Sequence, residues 1–598
     1  MLVALAAALL LSPPASAAVS LPGIAQSAQA DAPRMSERSA TRAALANPKV
    51  ASWLRRYPPH AQTEATFDTV ARIWTVKAWS GKAGEIALVS VEDLTGRVTE
   101  AWTGPQVAWK MARGRPGTFG GKTLLKPYVW LSFCLLFLIG LCDFRKPLSA
   151  RNLDLLVLLS FSVSLAFFNR GEIFRSVPLV YPPLAYLLAR SAWAGFRRRG
   201  IALRPTWPVW ALAATAVFLA GFRIGLNVEG RYGVIDVGYA GVIGANRIVD
   251  GQAPYGHMPQ RGTLKPCGPK DGEGDIRDRI QTNGRCESAN EHGDTYGPVS
   301  YAAYIPAYLV FGWGGKWDTL PAAHATAIAF DLLAMLGLVL VGFRFGRGRL
   351  AATLAFAWAA YPFTAYALDA NTNDAIMPVF LIWGFWLVSS PWARGAAVGL
   401  AGWTKFGALP LAPLWATYPS YRLRSLVRFA IAFVAASLVA LAVVLLEPSL
   451  WSALRTFWDR TLVYQFERHS PFSLWDWGQY HAKGIPDLAA AKPALDLLAL
   501  GLALVAAFYP RRKGPVELAA LTAAVLVAVQ LPLTHWFYLY LPWVFPFVML
   551  WLLLPATPSD HHSQESSTGY PLLASTQSAA KSAAPARASA RRRCARTP

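Results

Sequence analysis

Residues 395–418 read GAAVGLAGWTKFGALPLAPLWATY, an apolar stretch interrupted by one charge, Lys405. Arg394 stands just before it, and Arg422, Arg424 and Arg428 follow just after. Basic residues beside apolar segments mark the cytoplasmic side of a membrane, so both ends belong on that side and the chain must go out and return. Two full crossings need ~20 residues each, which the stretch is too short to supply. It therefore reads as two half-helices broken between Lys405 and Pro410, with Lys405 near the outer apex.

Working outward, the 598 residues are 54% hydrophobic and only 15% charged. That composition predicts an α-helical polytopic membrane protein. The formal charge of +23 comes largely from Arg and Lys clusters in short loops beside apolar runs, where they set orientation. A nucleic-acid partner is discounted on that ground. Apolar segments recur at 127–142, 153–168, 175–195, 206–225, 320–342, 350–366, 374–390, 427–446, 491–509, 514–531 and 538–555. With the broken hairpin they give about 11 to 13 spans.

Residues 1–18 read as a signal peptide, an apolar run closed by Ala15-Ser16-Ala17, although the usual basic start is missing and an uncleaved first span is the alternative. With 19–123 outside, the basic loops around Arg145, Arg197, Arg344 and Arg511 all fall inside. The loop 227–298 with its continuation to 319, the segment 447–490 and the turns 367–373 and 532–537 then share the outer face. Residues 124–205 supply additional transmembrane helices, and 556–598 form a disordered, basic cytoplasmic tail.

Between residues 64 and 103 apolar and polar residues alternate, with turn signals at Ser80-Gly81 and Thr95-Gly96. A small α+β extracytoplasmic unit is expected there. Its VSVEDLTGRVTEAW stretch, 89–102, resembles the strand-turn-strand of PepSY-type domains, which implies a regulatory or substrate-guiding module or a plain accessory domain.

Within the loop 227–298, Cys267 and Cys286 lie in what should be an oxidising compartment, so a disulfide is expected. His257 and His292 lack the spacing of metal ligands, and neither a metal nor another cofactor is indicated. Asp236, about ten residues after a span, reads either as a base for a hydroxyl or as the N-cap of GYAGVIGANRIV. Asp294 of DTYGP reads as a second acid or as the cap of a helix beginning near Pro298.

A lysine within an apolar helix marks a functional site or snorkels to an interface, and Lys405 suits a lipid phosphate. Arg468, in QFERHSPFSLWDWGQY, is placed to share that phosphate. Trp475 and Trp477 read as sugar-stacking or interfacial aromatics. Asn371, Asn373 and Asp374 form a tight turn whose residues either serve the turn alone or bind sugar hydroxyls. His535 and Tyr538 of LTHWFYLYLPW invite the same two readings. Asp331, inside a span, needs a structural partner on a neighbouring helix.

Taken in order, Asp236, then GQAPYG (251–256), DTYGPVSY (294–301), NTND (371–374) and TKF (404–406) resemble membrane glycosyltransferases of the GT-C type. The similarity is greatest to the family 87 mannosyltransferase-like group and extends over about 206–555. The resemblance implies Asp236 as catalytic base, Asp294 as a candidate second acid, and Tyr255 and Tyr296 among the substrate-binding side chains. It further implies a polyprenyl-phosphate-sugar donor, mannose or another hexose, and transfer to an envelope glycan or glycolipid at the outer face of a bacterial cytoplasmic membrane. A transporter or flippase of lipid-linked saccharide is the alternative, which the lack of an internal repeat disfavours.

Overall fold

The computed structural model describes residues 32–555, apart from 60, 114–121, 198–206, 231–232, 270–275 and 319. The signal segment and the basic tail lie outside the described residues.

The described residues open with two helices, Glu37–Ala46 and Pro48–Leu54, each started by a side-chain cap. Ser36 Oγ accepts from Ser39 N at 3.2 Å, and Asn47 Oδ1 accepts from Lys49 N at 3.1 Å. Strands β1 (Gln62–Asp68), β2 (Ile73–Trp79), β3 (Glu85–Glu92) and β4 (Val98–Thr103) follow as an antiparallel meander in sequence order. The alternation seen in the sequence is the alternation of burial: Trp74, Val76 and Ala78 of β2 and Val89 and Val91 of β3 face the helices and are buried. Gly96, at φ +69°, closes the β3–β4 turn. Asp93, 1% exposed, accepts from the backbone amides of Arg34 and Met35 and from Trp74 Nε1, tying the start of the chain to the sheet.

After residue 122 the described chain is mostly helical. Among the described residues, five helices are long and apolar enough to cross a bilayer: Ala150–Asn169, Val209–Glu229, Pro321–Ala360, Leu423–Leu446 and Ala489–Phe508. Their outward faces carry exposed Leu156, Val217, Phe218, Val434, Leu438, Leu497 and Leu500. Apolar surface of that extent belongs against lipid, and the chain is read as a membrane protein.

Several expected spans are divided. The segment 175–195 becomes a short helix Ile173–Ser176, a 3-10 turn Val177–Val180 and a helix Tyr181–Arg197, because Pro178, Pro182 and Pro183 interrupt the backbone ladder. The segments 320–342 and 350–366 are two helical runs parted by non-helical backbone at Gly346 and Arg347; a Cβ at Gly342 would overlap Ala351 and Trp358 Nε1 reaches Asp331, so the second run folds back along the first. Tyr361 breaks the second run before Pro362, and Pro362–Asp369 continues separately. Helix Ile376–Trp386 has only 11 residues. Arg223 Nη2 lies 2.6 Å from Asp331 Oδ1, which also accepts from Trp358 Nε1 at 2.8 Å, so Asp331 has its partner on a neighbouring helix.

The stretch 395–418 is broken where its composition suggested. Helix Pro391–Gly402 stops, Lys405 is extended at φ −138° and ψ 119°, and a 3-10 turn Phe406–Leu411 leads into Ala412–Ala416.

The region 227–298 is an ordered layer rather than an open loop. Asn227 still belongs to helix Val209–Glu229, where its side chain donates to Leu368 O and Asn371 Oδ1, both at 2.7 Å. Helix Asp236–Val249 crosses the layer, and a hairpin of β5 (Asp278–Ile280) and β6 (Cys286–Ser288) lies beside it. A disulfide joins Cys267 to Cys286. Arg247 and Glu287, both buried, form an ion pair of 2.5 Å between helix and hairpin.

Candidate functional site

Helix Asp236–Val249 is placed by its glycines. Gly238, Gly241 and Gly244 recur every third residue and so share a face. A Cβ at Gly238 would overlap the carbonyl oxygen of Asn371, and at Gly241 and Gly244 the rings of Tyr304 and Tyr301. Asn371 itself adopts φ +53°, a left-handed turn that Asn tolerates better than most residues. The NTND turn is thus locked against the start of this helix. Asp236, the first helical residue, stays exposed there.

DTYGP is docked on the break of the hairpin. Val299 N donates to Trp403 O at 3.2 Å and Ser300 Oγ to Thr404 O at 2.8 Å, and a Cβ on Gly297 would overlap the Trp403 carbonyl. Only glycine permits that approach. The docking delivers the Tyr296 ring to Lys405, whose Nζ lies 4.1 Å from the ring centroid.

Lys405 is 7% exposed and has a carboxylate partner: its Nζ is 3.2 Å from Oδ1 of Asp374, itself 2% exposed. Trp543 Nε1 donates to the same Oδ1 at 3.2 Å, while Thr372 Oγ1 holds Oδ2. Tyr540 stacks on Trp543 with centroids 4.5 Å apart. A lysine buried away from water needs such a partner, and Asp374 with the facing rings supplies it.

Arg468, half-buried, lies within electrostatic reach of Tyr296, Tyr540, Tyr464 and Asp236. Asp236 also acts on Tyr296, and both Asp236 and Arg468 act on Lys405. His535 feels Arg468 and Lys405, and its Nδ1 is 2.9 Å from Ser470 Oγ. Asp236, Tyr296, Asp374, Lys405, Arg468 and His535 are therefore gathered from six separate segments. Two carboxylates balance two fixed cations, and Lys405 is directly matched by Asp374. The carboxylate within reach of Arg468 is the exposed Asp236.

The other expected residues sit around this cluster. Asp294 is fully buried; its Oδ2 accepts from Gly256 N and Arg460 Nε, both at 2.8 Å. Burial pushes its carboxyl above the usual aspartate range, against the opposing pull of those two donors. Tyr255, 3% exposed, donates to Tyr296 O at 3.0 Å and so supports the backbone of the residue that faces Lys405. Asn371 and Asn373 are buried in the turn. Trp475 donates to Leu531 O at 2.6 Å and meets Tyr181 edge-on. Tyr538 is not brought to the cluster: it is 2% exposed, with its hydroxyl 2.7 Å from Ser164 and 2.8 Å from Ser176.

Tyr540 and Trp543 escaped the sequence reading. The segment Tyr538–Tyr540 is a 3-10 turn, so residues two apart face different sides, and Tyr540 takes the place expected of Tyr538. A signal for the Lys405 partner did exist, since a lysine in an apolar helix requires a carboxylate and NTND was the nearest on that face.

Among the described residues, no group of three or more His, Cys, Asp and Glu side chains is placed to hold a metal ion. No protein-family profile matches the chain, and neither a curated protein nor a solved structure does.

Proposed function

We propose that the protein is a membrane glycosyltransferase that moves a hexose from a polyprenyl-phosphate donor to an envelope glycan or glycolipid on the extracytoplasmic face of a bacterial cytoplasmic membrane. One observation carries this reading: an exposed carboxylate, Asp236, lies within electrostatic reach of Arg468 and of the Lys405–Asp374 pair, which Tyr296 and Trp543 face. In the proposed reaction Asp236 takes the proton of the acceptor hydroxyl. The oxygen attacks the anomeric carbon, the bond from that carbon to the phosphate oxygen breaks, and the polyprenyl phosphate leaves with the electron pair. Arg468, with Lys405 behind it, meets the charge that develops on the leaving oxygen. Aromatic faces at Tyr296 and Tyr540 suit the apolar faces of a sugar ring.

The test is Asp236→Asn in native membranes supplied with a polyprenyl-phosphate-hexose donor. Loss of transfer by roughly 10²- to 10⁴-fold is expected for removal of a general base. Transfer at the wild-type rate would remove Asp236 from the reaction.

The flippase reading draws on a different feature, a buried ion pair at a broken membrane hairpin, which also occurs at transport sites. Movement of lipid-linked saccharide across vesicles by a wild type that transfers no sugar would favour it.

A further inference from the structure

The N-terminal domain touches the segment that carries Arg468. The Trp53 ring packs edge-on against Tyr480 at 6.3 Å and tilted against Phe174 at 5.9 Å, and Phe174 in turn meets Trp477 at 4.9 Å. Beside these rings the backbones are cross-linked: Arg56 Nη1 donates to Lys483 O at 3.0 Å, and Lys483 N donates to Arg56 O at 3.1 Å. Gln106, past the sheet, donates to Gly171 O at 2.8 Å.

From Tyr480 a short path leads to the site. Tyr480 ends the 3-10 turn Leu474–Tyr480, which Ser473 caps by accepting from Trp475 N at 3.2 Å. That turn carries Asp476, half-buried and fully engaged. Its Oδ1 lies 2.9 Å from His469 Nδ1, and its Oδ2 accepts from Ser470 N and from Gln479 Nε2. Ser470 Oγ then reaches His535 in the cluster, and Arg468 is the next residue but one toward the N-terminus.

We infer that the N-terminal domain, docked through Trp53 and Arg56, fixes Arg468 for the donor phosphate, with Asp476 as the positioning residue between them. The inference rests on the proposed transferase reading for the word donor alone; the docking stands on the contacts. A segment of 3-10 turns and bends has few backbone bonds of its own, so its order depends on what holds it at either end. At its start Arg468 N closes the last turn of helix Tyr464–Glu467 on Tyr464 O at 2.8 Å; past that turn the segment is held by His535 and by the N-terminal domain. A guanidinium displaced by about an ångström loses much of its hold on a phosphate, and losses of roughly tenfold or more follow from such misplacement.

The experiment uses the full chain in membranes, with Tyr480→Ala and Asp476→Asn as variants that leave the N-terminal domain itself intact and Trp53→Ala as the variant from its side. Hydrogen–deuterium exchange is read at the amides of His469, Ser470 and Phe472, and at β2 and β3 as a control for the domain's own fold. The expected result is faster exchange at 469–472 in all three and, in transfer assays, a roughly tenfold rise in donor KM with acceptor KM unchanged. Unchanged exchange at 469–472 in Tyr480→Ala overturns the docking, and faster exchange with an unaltered donor KM overturns the link to Arg468. A structural loss alone would lower the active fraction and leave KM where it was. If the wild type transfers no sugar, the proposed function falls, and the exchange data alone decide whether the domain orders the Arg468 segment.

Discussion

Two buried ion pairs in this molecule have the same chemistry and different surroundings. Arg223 and Asp331 pair at 2.6 Å between two continuous helices, with Trp358 closing the pair through both its indole and its carbonyl. Lys405 and Asp374 pair at 3.2 Å where two segments stop being helical, faced by Tyr296 and Trp543 and within reach of Arg468 and Asp236. The first pair is enclosed by backbone that has no reason to move. The second lies where backbone groups are free, rings are offered and two further charges converge. Burial of a charge says that it has a partner; the interruption of regular structure says where a ligand could take part.

Unpairing the enclosed site should cost the most. Asp331→Ala leaves Arg223 buried without its counter-ion and is expected to lower stability by about 3–5 kcal/mol, read as thermal unfolding in detergent. The double variant Arg223→Met/Asp331→Leu should recover most of that loss and keep transfer activity. At the other pair, Lys405→Met/Asp374→Leu is expected to stay folded by the same measurement but to lose roughly 10²-fold in transfer, the scale of removing one fixed stabilising group. Equal loss of transfer in both double variants would erase the distinction drawn here.

Gly297→Ala tests how closely DTYGP must sit on the hairpin break. The added methyl overlaps the Trp403 carbonyl, so about 1–3 kcal/mol of stability should go, together with part of the activity as Tyr296 shifts. Replacement of Gly251, where a Cβ meets nothing within 4 Å, makes the comparison, although its φ of +77° adds strain of its own.

A milder change is expected in the N-terminal domain. Burial alone would raise the carboxyl of Asp93, but bonds from Met35, Arg34 and Trp74 and the charge of Arg72 outweigh it and bring it from 3.8 down to about 2. A carboxyl lowered on folding contributes stability that is present above its unfolded value and lost as pH falls through the folded one. Tryptophan fluorescence of the wild type should therefore report weakening of the sheet domain between about pH 4 and pH 2, and Asp93→Asn should flatten that dependence.

Much of the fold is legible in the chain. The apolar runs, the break at Lys405 and the alternating strands each follow from local pattern, and the structure places helix, break and sheet where those patterns lie. Boundaries suffered where proline acts over a few residues, as at Pro178 and Pro362, whereas the gap expected between 342 and 350 holds the break at Gly346 and Arg347. The cluster was partly legible. Lys405 and Arg468 stand out as charges beside apolar sequence, whereas Tyr538 and Tyr540 cannot be told apart without knowing that a 3-10 turn carries them. Nothing local says that Asp476 faces His469 and Ser470, or that Trp53 reaches Tyr480.

Apolar helices with a small sheet domain ahead of them can be read from local pattern, because hydrophobic period, proline and charge act over a few residues. The match of Lys405 to Asp374, the press of Tyr296 against it through Gly297 and the hold of the N-terminal domain on the segment after Arg468 arise on folding. Those are contacts between segments far apart in the chain. They depend on which surfaces meet once every helix has buried what it can, and no local pattern encodes that.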